Sequence, residues 1–395
     1  MENMELSAKV RQLEASPTLA ISTEAKKLKD SGKEVISLGA GEPDFNTPQH
    51  INQAAIDAVN NGFTGYTETI GIKELREAVT KDLAKRGLEY DNNQVIVTTG
   101  AKYALFTALQ SIIEAGDEVI LPAPYWVSYP EQIKFAEGKV VAVETKEENR
   151  FKMTAEEFAA AITEDTKAVV INSPSNPTGA VYTKEELQEI AEVAVDNDIL
   201  VISDEIYQKI TYDTSAVSIA ELGSEIKDRT IIIDGVSKAY AMTGWRIGYA
   251  VAPKDVITAM GCLQSHSTSN PNSIAQKAST AALTGSQEPT KKMVKAFQRR
   301  RDLLVDLINS IPGFETIKPS GAFYLFVNVK ELIGSEINGT VIKDDQELAD
   351  VLLHEAGVAT IPGSFFGKDG YLRISYAIGE EDLKRAAEKI KDLVG

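Results

Sequence analysis

Through the middle of the chain, short runs of β-branched and other apolar residues alternate with stretches whose apolar positions recur at helical spacing. Strands are predicted over 94–99, 118–121, 168–172, 200–203, 230–234 and 247–251. The intervening helices have legible starts. Thr183 with Glu186 forms a capping box ahead of Leu187, Ile190 and Ala194, and Thr154 with Glu157 repeats the device ahead of Phe158, Ala161 and Ile162. This alternation implies an α/β fold, a mostly parallel sheet sandwiched by helices. Near residue 290 the pattern changes. A long charged helix is predicted over 291–311, strands over 323–327 and 371–376, and helices over 345–356 and 380–394. The expected organisation is a large domain at 49–289 and a smaller α+β domain at 290–395, the latter joined by the N-terminal segment 1–48.

Composition narrows the function. With 395 residues, 43% hydrophobic and 25% charged, the chain has ample core for two domains. No apolar run approaches the roughly 18 residues that span a bilayer. The opening stretch MENMELSAKVRQLEASPT has no apolar core ahead of a cleavage site, so a cytoplasmic location is expected. A single cysteine, Cys262, excludes an internal disulfide and a thiolate-cluster metal site. His50, His266 and His354 are scattered without metal-ligand spacing, and no metal is expected. A net charge of −17 works against nucleic-acid and anionic-membrane partners.

In an open parallel sheet, ligands bind beyond the carboxyl ends of the strands. Polar and aromatic loops follow those predicted ends in turn: Gly100-Ala101-Lys102, Pro124-Tyr125-Trp126, NSPSNPTG, Asp204 with Tyr207, and Ser237-Lys238. Each could be a simple turn, but five convergent loops describe a pocket. The segment GVSKAYAMTGWRIG, from Gly235 to Gly248, sets a lysine between an apolar strand and Arg246. A free lysine leaves only about one molecule in 2,500 unprotonated at pH 7. Burial or a neighbouring cation lowers that pKa and exposes a nucleophilic amine able to form an imine with an aldehyde cofactor.

At these residues the chain resembles the class I pyridoxal-phosphate-dependent aminotransferases, and among them the bacterial aspartate aminotransferase subgroup. GVSKAYAMTGWRIG fits that family's lysine-attachment signature at every defined position. The resemblance extends to GEPDF, the region around Tyr66, PYWVSYPE, NSPSNPTG, SDEIY and YLRISYA. It implies the type I fold of pyridoxal-phosphate-dependent transferases, the cofactor pyridoxal 5′-phosphate, and Lys238 holding it as a Schiff base and then shuttling a proton. Asp204 corresponds to the carboxylate that keeps the pyridine nitrogen protonated; its other role is that of a helix N-cap. Tyr207 and Asn176 resemble the pair on the cofactor's phenolic oxygen, although NPTG would form a turn in any case. Trp126 matches the ring stacked on the pyridine face, and core packing is its alternative. Gly100, Ala101 and Lys102 supply helix N-terminal donors for the phosphate, with Ser237 and Arg246 as further ligands. Tyr66 resembles the residue that reaches the neighbouring subunit's cofactor, which implies a homodimer with shared active sites.

The resemblance also implies that Arg373 clamps the substrate α-carboxylate beside the backbone of Gly39. The stretch HSTSNPNS, where some relatives place an arginine for a distal carboxylate, contains none. Lys102 with Ser16 and Thr18 could serve instead, or Lys102 could face the phosphate or solvent. The expected reaction takes L-aspartate and 2-oxoglutarate to oxaloacetate and L-glutamate. Aromatic amino acids, prephenate, or a carbon–sulfur lyase reaction on the same cofactor are the alternatives. A dehydrogenase is disfavoured because no G-x-G-x-x-G follows a strand. A ligand-sensing DNA-binding regulator of the same fold is disfavoured by charge.

Overall fold

The structure, a computed structural model, describes residues 6–395; positions 1–5 of the expected N-terminal segment lie outside that description. Seven strands build the main sheet: β1 (Val95–Thr98), β2 (Glu118–Ala123), β3 (Lys139–Glu144), β4 (Thr166–Asn172), β5 (Leu200–Asp204), β6 (Thr230–Gly235) and β7 (Gly248–Val251). Their spatial order is β1-β7-β6-β5-β4-β2-β3. Only β7 runs against its neighbours; every other pairing is parallel.

A sheet covered on both faces makes its central strands apolar throughout, and β6 is buried at all its positions. Successive side chains enter opposite cores. Ile202 and Ile233 pack with Leu105 and Leu109, whereas Val201 packs on the other face with Leu187 and Ile190. The first core is closed by α2 (Ala101–Ile112) and the second by α3 (Lys184–Asp196), which starts at the Thr183 capping box. The Thr154 box likewise opens a helix at Ala155–Ala161. Strand β3 is the one member of the sheet absent from the predictions. It lies at the edge, bonded on one side only and half exposed, so its Val140-Val141 and Val143 lack the fully buried signature.

A separate core gathers α4 (Glu288–Asn309), α5 (Asp345–His354) and α6 (Glu380–Val394) around an antiparallel sheet. That sheet has the order β10-β11-β9-β8, from β8 (Glu315–Thr316), β9 (Tyr324–Asn328), β10 (Ile361–Pro362) and β11 (Tyr371–Ser375). Ile36 and Leu38 join this core, and Ile36–Ser37 pairs in parallel with Val358–Ala359. The N-terminal helix α1 (Pro17–Asp30) buries Ala25 against Leu353 and Ala359. Among the described residues no helix is long and apolar enough to cross a membrane.

One close approach fixes the site's geometry. A Cβ at Gly248 would lie 2.1 Å from the Ala101 amide nitrogen, so β7 meets the start of α2 with no room for a side chain. Gly248→Ala is expected to destabilise the protein by about 1–3 kcal/mol, since the obstacle is backbone rather than a movable side chain. Thermal denaturation checks this, and an unchanged midpoint would contradict it.

Candidate active site

Every strand of the main sheet except β7 points its carboxyl end the same way, and the reversed β7 begins at that edge. The loops after β1, β2, β4, β5 and β6 therefore meet the turn before β7, around a cavity of about 290 Å³.

Lys238, three residues past β6, donates from Nζ to the Gly41 carbonyl at 2.5 Å. Burial lowers its pKa to about 8, opposed by the Glu42 carboxylate, reinforced by Arg373 and Arg246, and opposed again by Asp204.

Asp204 is the last residue of β5 rather than just past it, and is 5% exposed. Its Oδ2 accepts from the Tyr129 hydroxyl at 2.7 Å and its Oδ1 from the Ile206 amide at 3.1 Å. Burial raises the carboxyl to about 6 against both donors. No cationic side chain forms an ion pair with it among the described residues. Asn172, at the end of β4, donates to the Asp204 carbonyl at 3.0 Å and accepts from the Asn176 amide at 2.8 Å, fastening the NPTG turn to the neighbouring strand.

Arg373 on β11 is 3% exposed and has no carboxylate partner among the described residues. Nη1 donates to Asn176 Oδ1 and Nη2 to the Gly39 carbonyl, both at 2.9 Å, while the buried Nε has no partner. The rings of Tyr324 and Phe366 flank the guanidinium at 4.5 and 5.0 Å. Burial lowers its pKa from the ordinary arginine value. The Tyr207 hydroxyl lies 2.9 Å from that of Tyr324. Tyr207 and Asn176 thus each bond a different protein group, as buried polar atoms take the partners within reach.

At the other end, Arg246 adopts a left-handed conformation (φ 57°) and donates to the Thr243 carbonyl at 2.9 Å. Its guanidinium lies on Gly100, where a Cβ would come within 2.4 Å of Nη2. Gly100 has φ 92°, which a glycine adopts without strain, and it starts α2, whose first amides at Ala101 and Lys102 have no helical acceptor. Ser237 is buried and lines the cavity. Trp126 stands edge-on to Tyr129 at 5.4 Å, and Lys102 Nζ sits 4.7 Å over the Trp126 ring.

Three of the expected residues do not line the cavity; one is Gly100, which lies against the Arg246 guanidinium instead. Ser16 does not line it, although its hydroxyl lies 3.0 Å from that of Thr18, which does. Tyr66 is 94% exposed on the surface. Conversely, Gly41, Tyr129, Asn172, Thr243 and Tyr324 line the cavity without having been singled out from the sequence. Asn172 opens the NSPSNPTG motif and Tyr129 belongs to PYWVSYPE, so both lay within quoted stretches. Tyr324 carried no such signal.

Residues 33–390 match the family described as aminotransferase class I and II. The chain is 53% identical over 389 residues to an aspartate aminotransferase of Geobacillus stearothermophilus, covering 98% of each chain. It is 44% identical over 396 residues to an aspartate/prephenate aminotransferase of Nitrosomonas europaea, covering 99% of this chain and 100% of the other. The crystal structure of the aspartate aminotransferase from Rhizobium meliloti superposes with a TM-score of 0.96 at 43% identity, covering 99% of both. The chain belongs to the class I and II aminotransferases.

The lowered lysine has a direct readout. In the unliganded protein, acylation of Lys238 followed by peptide mass spectrometry is expected to be half-maximal at about pH 8, more than two units below an ordinary lysine at about 10.4. A half-maximum near the ordinary value would contradict the burial argument.

Proposed function

We propose that this aminotransferase binds pyridoxal 5′-phosphate through Lys238 and moves the amino group of L-aspartate to 2-oxoglutarate, yielding oxaloacetate and L-glutamate. The observation that carries the proposal is Arg373, a buried guanidinium with an unpartnered Nε and no carboxylate beside it. Such a group calls for an anion, and a planar carboxylate suits its fork.

The residues present fit the cofactor. Asp204 is a buried carboxylate lacking a cation, which a protonated ring nitrogen supplies. Arg246, Ser237 and the first amides of α2 form a donor set for a phosphate. Trp126 offers a ring face, and Tyr207 and Asn176 offer polar atoms for the phenolic oxygen. When bound, the cofactor supplies a conjugated, electron-withdrawing ring for the electrons released at the substrate α-carbon. The protein's part is positional and electrostatic. Arg373, with the Gly39 carbonyl and Asn176 fixing its plane, holds the α-carboxylate. Lys238 Nζ takes the α-proton as a base and returns it as an acid, a task suited to a group titrating near 8.

Lys102 and Thr18 border the cavity and could receive the distal carboxylate of aspartate, with Ser16 supporting Thr18; Lys102 also lies close enough to Arg246 to serve the phosphate end. The exposure of Tyr66 supports a homodimer in which this ring is covered by, and reaches into, the partner's site. The enzyme is proposed to act in the cytoplasm.

Reduction with borohydride should fix the cofactor to Lys238, found by mapping the labelled peptide. Initial rates with aspartate, phenylalanine and prephenate then test the donor, and glutamate formation from 2-oxoglutarate separates transamination from a lyase reaction. Arg373→Ala is expected to keep the cofactor's colour and lose about 10²- to 10⁴-fold in kcat/KM, from two charge-assisted hydrogen bonds of roughly 1.5–3 kcal/mol each. Undiminished turnover would remove the clamp. Lys102→Ala is expected to erode the preference for aspartate over phenylalanine, and an unaltered ratio of kcat/KM values would assign Lys102 to the phosphate end instead.

A further inference from the structure

We infer that Tyr324 is a positioning residue whose hydroxyl donates to Tyr207 and so leaves the Tyr207 proton free for the phenolic oxygen of the bound cofactor. The inference rests on the assignment of Tyr207 proposed above. Tyr324 lies on β9, is 1% exposed, and places its hydroxyl 2.9 Å from that of Tyr207, with the two rings at 82°. The same hydroxyl faces Gly41, where a Cβ would be 3.5 Å away, and the Gly41 carbonyl receives Lys238 Nζ. Tyr324 therefore sits where the tyrosine, the lysine and the N-terminal segment meet.

A phenol has one proton to give. If Tyr207 spent it on Tyr324, none would remain for a ligand oxygen. The direction of the bond therefore decides what Tyr207 can do, and Arg373 sets that direction. Its guanidinium lies 4.5 Å from the Tyr324 ring centre, and a neighbouring cation makes a phenol more acidic. Burial raises both phenols. At Tyr207 the neighbouring Tyr324 adds to the rise before Arg373 opposes it, whereas at Tyr324 Arg373 is the first influence after burial and opposes the rise. The more acidic phenol is the donor, so the bond runs from Tyr324 to Tyr207. The charged groups around the pair are Arg373 from β11, Asp204 from β5, and Lys238, whose Nζ lies 5.9 Å from the Tyr207 ring centre. None of them bonds the Tyr207 hydroxyl.

The test is the pH dependence of the visible absorbance of the holoenzyme without substrate, for wild type, Tyr207→Phe, Tyr324→Phe and the double variant. A donor at the phenolic oxygen stabilises the deprotonated, more anionic chromophore, so weakening it moves the absorbance midpoint upward; Tyr207 keeps its proton in Tyr324→Phe but donates it less strongly once its own oxygen no longer accepts a hydrogen bond. Tyr324→Phe is expected to raise the midpoint by about 0.4–1 pH unit, the scale of one neutral hydrogen bond. In the Tyr207→Phe background it should add nothing, because its effect passes through Tyr207. An unmoved midpoint in Tyr324→Phe overturns the inference, with or without a fall in thermal stability; so does a lowered one, which would mean that Tyr207 had been spending its proton on Tyr324, and so does a full additional shift in the double variant. Borohydride labelling of Lys238 in the wild type separates the two levels. An unlabelled lysine removes both the functional assignment and this inference, while a labelled lysine with an unmoved midpoint removes this inference alone.

Discussion

Two opposite charges, Asp204 and Arg373, are buried at one cavity without being paired to each other or to any other ionised side chain among the described residues. Taking a charge out of water costs several kcal/mol unless hydrogen bonds and an opposite charge offset it. The protein supplies the hydrogen bonds and leaves the opposite charges to whatever enters. The carboxylate has a tyrosine hydroxyl and one backbone amide. The guanidinium has a carbonyl, an amide oxygen and two aromatic faces. Each is held rigidly and left electrostatically incomplete, so a molecule carrying a cation at one point and a carboxylate at another completes both.

Most of the fold follows from delivering these groups to one place. Parallel strands end together, and so their loops collect the polar residues of the site. The reversed β7 is the exception that helps, because it begins at the shared edge and brings Arg246 in from the opposite chain direction. Gly100 and Gly248 then let that arginine and the start of α2 approach each other without an intervening side chain. Lys238 lies between the two ends, its basicity lowered by burial and by two arginines and partly restored by two carboxylates.

The strands buried on both faces were legible because burial leaves continuous β-branched runs, and the helices with capping boxes were legible because their first turns name themselves. The edge strand β3 was not, since a half-exposed strand has neither a full apolar run nor strict alternation. In the site, the motif residues were readable as types suited to imine chemistry and anion binding. Gly41 acts through its carbonyl, which no side chain advertises. Tyr324 stands in the run AFYLFV, where an aromatic residue reads as packing, and only the folded register brings its hydroxyl to Tyr207. Ser16 and Thr18 looked equivalent in sequence, but only Thr18 lines the cavity from the first turn of α1.

The bond between Arg373 and the Gly39 carbonyl joins positions 334 residues apart. The entropic cost of closing so long a loop grows only logarithmically with its length, so the separation adds little to the cost of the folded state. It matters for timing. Chains are synthesised from the amino terminus and tend to fold domain by domain as they emerge. The main sheet can therefore be assembled on the ribosome while the cavity still lacks Arg373, and the carboxylate site proposed there is completed only as synthesis ends.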